Sequence, residues 1–355
     1  MSLTVLTCGS RSRKVSSGAR KAVPCVLEHT NGILQKWQVP LYLLAVATAA
    51  SFGLLQPQTA TVLDSGINPA LALLLFATFL AIPLTRLIGA LRNIRFLMAA
   101  VLLNFAAVPL IVWLLSRVVA ADAELMIGLL LVLLAPCVDY VIVFTRIAGG
   151  ASHQLLAATP VLMLLQVVML PIYLSWFAGP ALGAVITPEP FAHAFTWLIA
   201  VPLVSAMLVQ LLARRFRSAE VIENLMDLLM VPLMMLVLFL VVASQVSSVK
   251  AEFSRLLAVV PLYVLFLVVM PPVGKGIARI FKLAVPEQRA LVFSGATRNS
   301  LVVLPLALAM PASLALVPAV VVAQTIIELL GMLVYVKVVP RLLPGSPVQG
   351  RSPQT

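Results

Sequence analysis

Residues 125–146 have the sequence LMIGLLLVLLAPCVDYVIVFTR, and this stretch decides the class of fold. It is almost wholly apolar and long enough to cross the hydrocarbon core of a bilayer, which takes about 20 helical residues. Two residues interrupt it. Pro136 lacks a backbone N–H and disturbs the helical turn before it, and Asp139 brings a carboxylate near the centre of the bilayer. The segment therefore predicts a membrane-spanning helix with a break near its middle.

The rest of the chain repeats this pattern. Of the 355 residues, 62% are hydrophobic and 10% are charged, which excludes a soluble domain, a disordered chain and a disulfide scaffold. The apolar blocks are continuous, whereas outer-membrane barrels show alternating segments of about ten residues. We predict an all-α polytopic membrane protein with ten transmembrane helices, at residues 37–55, 68–85, 96–116, 125–146, 154–176, 191–212, 225–244, 256–274, 288–309 and 314–337.

The loop charges predict the orientation. With the N-terminus inside, 20 of the 24 Lys and Arg residues lie on the cytoplasmic side and three on the other side. This bias follows the positive-inside rule and places both termini in the cytoplasm, in the inner cell membrane. The net charge of +12 therefore reflects orientation and not nucleic-acid binding. Residues 1–36 are predicted to be a basic, disordered tail, residues 37–338 the transporter domain and residues 339–355 a second cytoplasmic tail.

The second five spans resemble the first five. Pro160 and Gln166 in span 5 have counterparts in Pro318 and Gln324 of span 10, both 158 residues later. Since five spans is an odd number, a second copy would be inverted, giving repeats at 37–176 and 191–338. Inverted repeats are typical of secondary transporters, whose sites lie at the midplane where the repeats meet. Coincidental matching of common residues is the alternative.

A second interruption supports this hypothesis. Span 9 contains Ser294-Gly295-Ala296-Thr297-Arg298-Asn299-Ser300, a run of small and polar residues that does not suit a lipid-facing helix. Subtracting 158 maps Ser294–Thr297 onto Pro136–Asp139. The sequence thus predicts two broken helices, 4 and 9, that cross and form a transport site.

Three ionisable residues lie deep within the predicted spans, where a charge is costly. Asp139 and Arg298 are nearly equivalent in the two repeats and would pair if the broken helices cross, either as a structural salt bridge or as part of the cargo site. Glu328 lies in span 10. Burial favours the neutral form of a carboxyl group, so Glu328 is either a proton carrier or a neutral acid that is hydrogen-bonded to Gln324.

Two uncharged side chains are further candidates. Cys137 follows the break at Pro136, and its thiol either packs as a small hydrophobe or contacts a thiophilic cargo. Asn104 is a lone amide in span 3 that either lines a cavity or hydrogen-bonds between helices. The three Cys and three His residues are scattered, so we expect no metal site, disulfide framework or cofactor.

These features resemble the bile/arsenite/riboflavin transporter superfamily and, within it, most closely the arsenical-resistance (arsenite) permeases. Their span 4 carries Gly-Leu-Ala-Arg-Cys, which is similar to Leu134-Ala135-Pro136-Cys137. The Asn and Pro of their span 3 are similar to Asn104 and Pro109, the Ser-Asn-Asn of span 9 to Thr297-Arg298-Asn299, and the Glu of span 10 to Glu328. The resemblance covers about residues 37–338. The chain departs from it at Pro136, Asp139, Arg298 and Leu301.

The resemblance implies proton-coupled efflux of arsenite or antimonite, and thus arsenic resistance through an antiporter. The implied substrate-binding residues are Cys137, Asp139, Arg298, Asn299, Thr297 and Asn104, and the implied ion-coupling residues are Glu328, Asp139 and Gln324. The alternative is a sodium- or proton-coupled symporter of an organic anion, with Arg298 as the anion clamp. The Glu-Gln pair associated with sodium in bile acid symporters is not evident in span 9, which favours H+ over Na+.

Other function classes find little support in the sequence. An intramembrane enzyme needs a nucleophile and a base, and the His, Cys and Asp residues show no such spacing. A pump needs an ATP-binding loop, and no Gly-x-x-x-x-Gly-Lys-Ser/Thr motif occurs. The expected partners are the lipid bilayer and a small inorganic or organic solute. The sequence is compatible with a homodimer as well as with a monomer.

Overall fold

The computed structural model of the chain describes residues 25–81, 93–137, 141–183, 196–213, 215–308 and 310–344. Thirteen helices account for most of these residues: α1 Cys25–Leu55, α2 Ala60–Ala81, α3 Ile94–Leu102, α4 Val108–Ser116, α5 Ala123–Leu133, α6 Val141–Ile147, α7 Ser152–Gly183, α8 Val201–Ala213, α9 Arg217–Ala251, α10 Val260–Ile280, α11 Val285–Ala296, α12 Ser300–Leu308 and α13 Val317–Leu342. Within these ranges, strand-type pairing occurs only at one isolated bridge. The all-α prediction is confirmed for this part of the chain.

Six stretches of helix are long and apolar enough to cross a membrane: Val62–Ala81, Ile94–Val119, Ser152–Gly179, Val221–Ser247, Phe253–Ile280 and Val317–Leu342. Shorter apolar helices lie at Pro40–Leu55, Ala123–Leu133 and Val201–Ala213. Together with many exposed aliphatic side chains, these stretches identify an integral membrane protein. Ten spans in an inverted repeat remain a prediction. The first helix begins at Cys25, ahead of the predicted start at residue 37, and residues 1–24 and 345–355 lie outside the description.

Polar caps and prolines start several helices. The Asp122 carboxylate accepts the backbone N–H groups of Glu124 and Leu125 at 3.1 and 3.2 Å and so begins α5. The Asn93 side chain accepts the N–H of Phe96 at 3.2 Å in the same way at α3. A proline stands in the first turn of α10, α11 and α13, where its missing N–H costs nothing.

The helices pack as two groups. Four of them, α1, α2, α8 and α9, pack chiefly against one another, and we call them the four-helix group. The remaining helices, α3–α7 and α10–α13, form the central group around α13, which is buried along most of its length. The two groups meet where α9 packs on α13 and α2 packs on α12. Both interrupted segments belong to the central group.

Side-chain contacts tie the central group together at both ends of α13. Near its start, Arg255 contacts Asp122 at 2.7 Å and Glu124 at 2.8 Å, and Glu124 also accepts the N–H of Leu316 at 2.9 Å. Near its other end, Arg289 donates to the carbonyl of Leu343 at 2.9 Å. Each exposed ion pair adds little alone, but a shared network holds several helix ends in one arrangement.

The four-helix group depends on a close approach of α1 to α9 at Gly53. A Cβ atom at this position would lie 2.3 Å from the carbonyl oxygen of Ala243 and 2.5 Å from Val246. Since a backbone oxygen has no rotamer to change, only glycine allows this approach. We expect Gly53→Ala to destabilise the protein by about 1–3 kcal/mol and to lower its Tm in detergent by several degrees.

Gly276 provides the matched control, because a Cβ there would meet nothing within 4 Å. It lies inside α10, where alanine is a better helix former by about 1 kcal/mol. Gly276→Ala should therefore leave the Tm unchanged or raise it. Equal melting temperatures for the two variants would contradict the close packing of α1 on α9.

Candidate functional site

The candidate site lies where the two interrupted segments meet. The first interruption separates α5, ending at Leu133, from α6, beginning at Val141; the second separates α11, ending at Ala296, from α12, beginning at Ser300. Both predicted breaks are therefore confirmed. Pro136 explains the first, since it has no N–H to offer a helix. Residues 138–140, including Asp139, lie outside the described residues, so the predicted Asp139–Arg298 pair remains a prediction.

The two interruptions pair with each other through their backbones. Pro136 and Arg298 form an antiparallel bridge. On either side of it, the N–H of Cys137 donates to the carbonyl of Thr297 at 3.2 Å, and the N–H of Asn299 donates to the carbonyl of Ala135 at 2.7 Å. We call this paired region, residues 135–137 and 297–299, the crossing. The breaks leave backbone N–H and C=O groups without partners inside a helix, and lipid offers them none. The crossing supplies hydrogen-bond partners to these groups.

Arg298, which is part of the crossing, is completely buried. Its guanidinium donates to the carbonyl of Leu133 at 3.3 Å, to that of Ser294 at 2.8 Å and to that of Gly295. These carbonyls belong to the C-terminal turns of α5 and α11, where the helix dipole is negative. The ring of Phe266 lies 5.5 Å from the guanidinium carbon, at a distance typical of a cation–π contact.

Asn104 completes the surroundings of the guanidinium. Its side-chain oxygen accepts a hydrogen bond from Arg298 at 2.9 Å, and its amide donates to the Ser294 hydroxyl and to the carbonyl of Ala100, both at 3.0 Å. It lies in a π-helical turn, Leu103–Ala107, between α3 and α4. Such turns are rare and recur at functional sites. Asn104 thus hydrogen-bonds between helices, which is one of its two predicted roles; its role as a cavity-lining residue stays a prediction.

Glu328 reaches the crossing from α13. One of its carboxylate oxygens accepts the backbone N–H of Arg298 at 2.8 Å and also the side-chain amide of Gln324. Both side chains are buried. The hydrogen bond predicted between Gln324 and Glu328 is present. Glu328 thus contacts the backbone of the second interruption, so a change in its charge would directly alter a hydrogen bond of that segment.

The start of α12 carries buried donors. Asn299 accepts the N–H of Val302 at 3.2 Å and so caps the helix. Among the described residues, the amide nitrogen of Asn299 and the hydroxyl of Ser300 have no hydrogen-bond partner, although both side chains are only 2% exposed. Buried polar groups are rarely left unsatisfied, so these two mark a place for a ligand or a water molecule.

Two spaces follow α12 along the boundary between the helix groups. The smaller, about 10 Å³ and thus room for about one water, lies beside Ser300 and Thr325 and is closed by Val46, Leu238 and Val242 from the four-helix group, among other apolar side chains. The larger is a cleft of about 340 Å³ beyond the end of α12. Its lining combines Asp64, Ser244 and Gln245 of the four-helix group with Met310 and Pro318.

The structure brings together every predicted site residue that it describes: Asn104, Cys137, Thr297, Arg298, Asn299, Gln324 and Glu328. Their roles in transport stay predictions. Three contributors were missed, namely Ser294, Ser300 and Phe266. Both serines belong to the polar run of span 9, and this run could have identified them as site residues. Phe266 has no sequence signal, because an aromatic residue in an apolar span is ordinary.

A family model matches part of the chain, in a range that includes the first interruption but not the second. The model of the sodium bile acid symporter family matches residues 68–252, from within α2 to the end of α9. No curated relative matches the chain. The family is one of transporters and not of enzymes, and its match lends no support to the arsenite permeases in particular. Because the match covers more than half of the 355 residues, the chain belongs to the sodium bile acid symporter family and is a membrane transporter.

Proposed function

We propose that the chain is a secondary transporter that carries an organic anion, driven by protons, with the anion bound at the start of α12. One observation carries this proposal: two donors, the Asn299 amide and the Ser300 hydroxyl, are buried without partners among the described residues. They lie at the N-terminus of a nine-residue helix, where the dipole is positive. Carriers with broken helices use such half-helix N-termini to bind anionic groups of their substrates.

This assignment moves the anion contact away from Arg298, which the sequence suggested as the clamp. The guanidinium of Arg298 already donates to three carbonyls and to Asn104. A cargo that bound through the same N–H groups would compete with these contacts. The donors at the start of α12 require no such exchange, and Ser300 faces the boundary along which the two spaces lie.

Removing these donors should weaken uptake of the anion. We expect Ser300→Ala to raise the KM for a labelled bile acid or a smaller carboxylate by roughly 10- to 100-fold in proteoliposomes, since a hydrogen bond to a charged group contributes about 1.5–3 kcal/mol. Asn299→Asp should act at least as strongly, because it keeps the cap on Val302 but adds a negative charge.

Thr145→Val is the matched control. The Thr145 hydroxyl is also buried without a partner among the described residues, but it lies on α6, away from the start of α12. This variant should keep the wild-type KM to within about twofold. If Ser300→Ala behaves like Thr145→Val while both proteins insert normally, the anion does not bind at α12.

Glu328 is our candidate for proton coupling. Its carboxylate contacts the N–H of Arg298, one residue before the capping Asn299, so protonation would change the backbone next to the anion site. The same carboxylate oxygen also accepts the Gln324 amide, so a change in its charge would alter both hydrogen bonds.

Neutralising this carboxyl should separate coupling from binding. We expect Glu328→Gln to abolish accumulation driven by an imposed pH gradient while anion exchange across the membrane continues, since exchange needs no net proton movement. Glu252→Gln, at an exposed ion pair with Arg255, should keep both activities. Gradient-driven accumulation in Glu328→Gln would exclude Glu328 as the proton carrier.

Efflux of arsenite is a second candidate, favoured by the burial of Cys137 within the crossing itself. A thiol there is a suitable ligand for a soft metalloid. Under this alternative, everted vesicles with a pH gradient accumulate arsenite, and Cys137→Ser reduces accumulation at least tenfold. Under the organic-anion proposal, wild-type vesicles accumulate no arsenite, and Cys137→Ser transports the anion at close to the wild-type rate.

We also propose the orientation and symmetry that the sequence predicts. The excess of Lys and Arg in alternate loops supports two cytoplasmic termini in the inner cell membrane. Two interrupted helices that pair with each other support two inverted five-span repeats. Residues 37–176 and 191–338 would be those repeats.

A further inference from the structure

The ends of two half-helices point their carbonyl oxygens at one place in the central group. Leu133 is the last residue of α5, and Ser294 and Gly295 lie in the last turn of α11. Their carbonyls, with the side-chain oxygen of Asn104, surround a single positive group. Three carbonyl oxygens at negative helix ends and one amide oxygen, all in a buried setting, are the surroundings that a monovalent cation needs.

The positive group is part of the chain. The Arg298 guanidinium donates to all four oxygens, and the ring of Phe266 covers it at 5.5 Å. An aromatic face suits a flat guanidinium better than a small, strongly hydrated inorganic ion. The place is therefore shaped for the side chain that fills it.

A second cation has no favourable position here. At a separation of about 4 Å, repulsion from the guanidinium would lower its affinity by roughly a thousandfold in a protein-like dielectric. The same four oxygens are also already engaged as acceptors. The oxygens have the geometry of a cation site, and Arg298 prevents free ions from binding there.

We infer that the Arg298 guanidinium is a tethered cation that takes the place of a coupling metal ion at the crossing, so that transport by this chain is independent of sodium. The sodium independence of transport rests on the proposed function, because it presupposes that the chain is a transporter. The occupation of the cation site by Arg298 does not depend on transport, and binding measurements can test it directly. Removing the guanidinium should open the site to sodium or to free guanidinium.

The test compares binding of labelled sodium to the purified full-length protein. The wild type should show no saturable sodium binding, and its anion uptake should change less than twofold when sodium is replaced by choline. Arg298→Ala should gain saturable binding in the millimolar range, and millimolar guanidinium should raise its Tm because a ligand that binds only the folded state stabilises it. Arg298→Lys should stay sodium-independent, since it keeps a tethered charge.

Arg289→Ala is the matched control, because Arg289 also donates to carbonyls, those of Leu343 and Ala148, but at a partly exposed end of the helices. It should gain no sodium binding. Saturable sodium binding by the wild type, or uptake that falls tenfold without sodium, overturns the inference whether or not Arg298→Ala folds. A stable Arg298→Ala that binds neither sodium nor guanidinium also overturns it. Absence of organic-anion uptake with these binding results intact would refute the proposed function alone.

Discussion

The structure depends on the backbone pairing of two interrupted helices inside the central group. Each interruption releases N–H and C=O groups at a depth where lipid offers no partners, and each unpaired group would cost several kcal/mol. Thr297 and Ala135 supply the acceptors that Cys137 and Asn299 need. Neither break is stable alone, so each one requires the other. This mutual requirement brings Arg298, Glu328 and the start of α12 to one place.

The crossing also separates charge. The C-terminal turns of α5 and α11 direct carbonyl oxygens at the guanidinium of Arg298, while the N-terminus of α12 presents the buried donors of Asn299 and Ser300. Opposite helix ends thus favour opposite charges within a few residues of chain. Glu328 touches the backbone between these two regions. In the transport cycle that we propose, this separation lets the cargo and the coupling charge affect each other without sharing the same contacts.

Several parts of the fold and site could be predicted from the residues alone. Continuous apolar blocks predicted membrane-crossing helices, because such segments have no other favourable environment. Pro136 and the polar run from Ser294 to Ser300 predicted the two breaks, since each conflicts with a regular helix in lipid. The arrangement of the helices into two groups could not be predicted. The spans of both groups are apolar on most faces, and their packing depends on shape, as at Gly53.

The sequence by itself determined the membrane environment, the places where helices break and the list of costly polar residues, because each follows from local residue types and the properties of lipid. Only the tertiary structure decided what those residues contact. Arg298 is held by carbonyls of Leu133 and Gly295, and every residue has a carbonyl, so no side-chain pattern could identify these acceptors. Likewise, Ser300 is distinguished from other buried serines only by the absence of a partner among the described residues. Both facts arise from how distant segments meet in space.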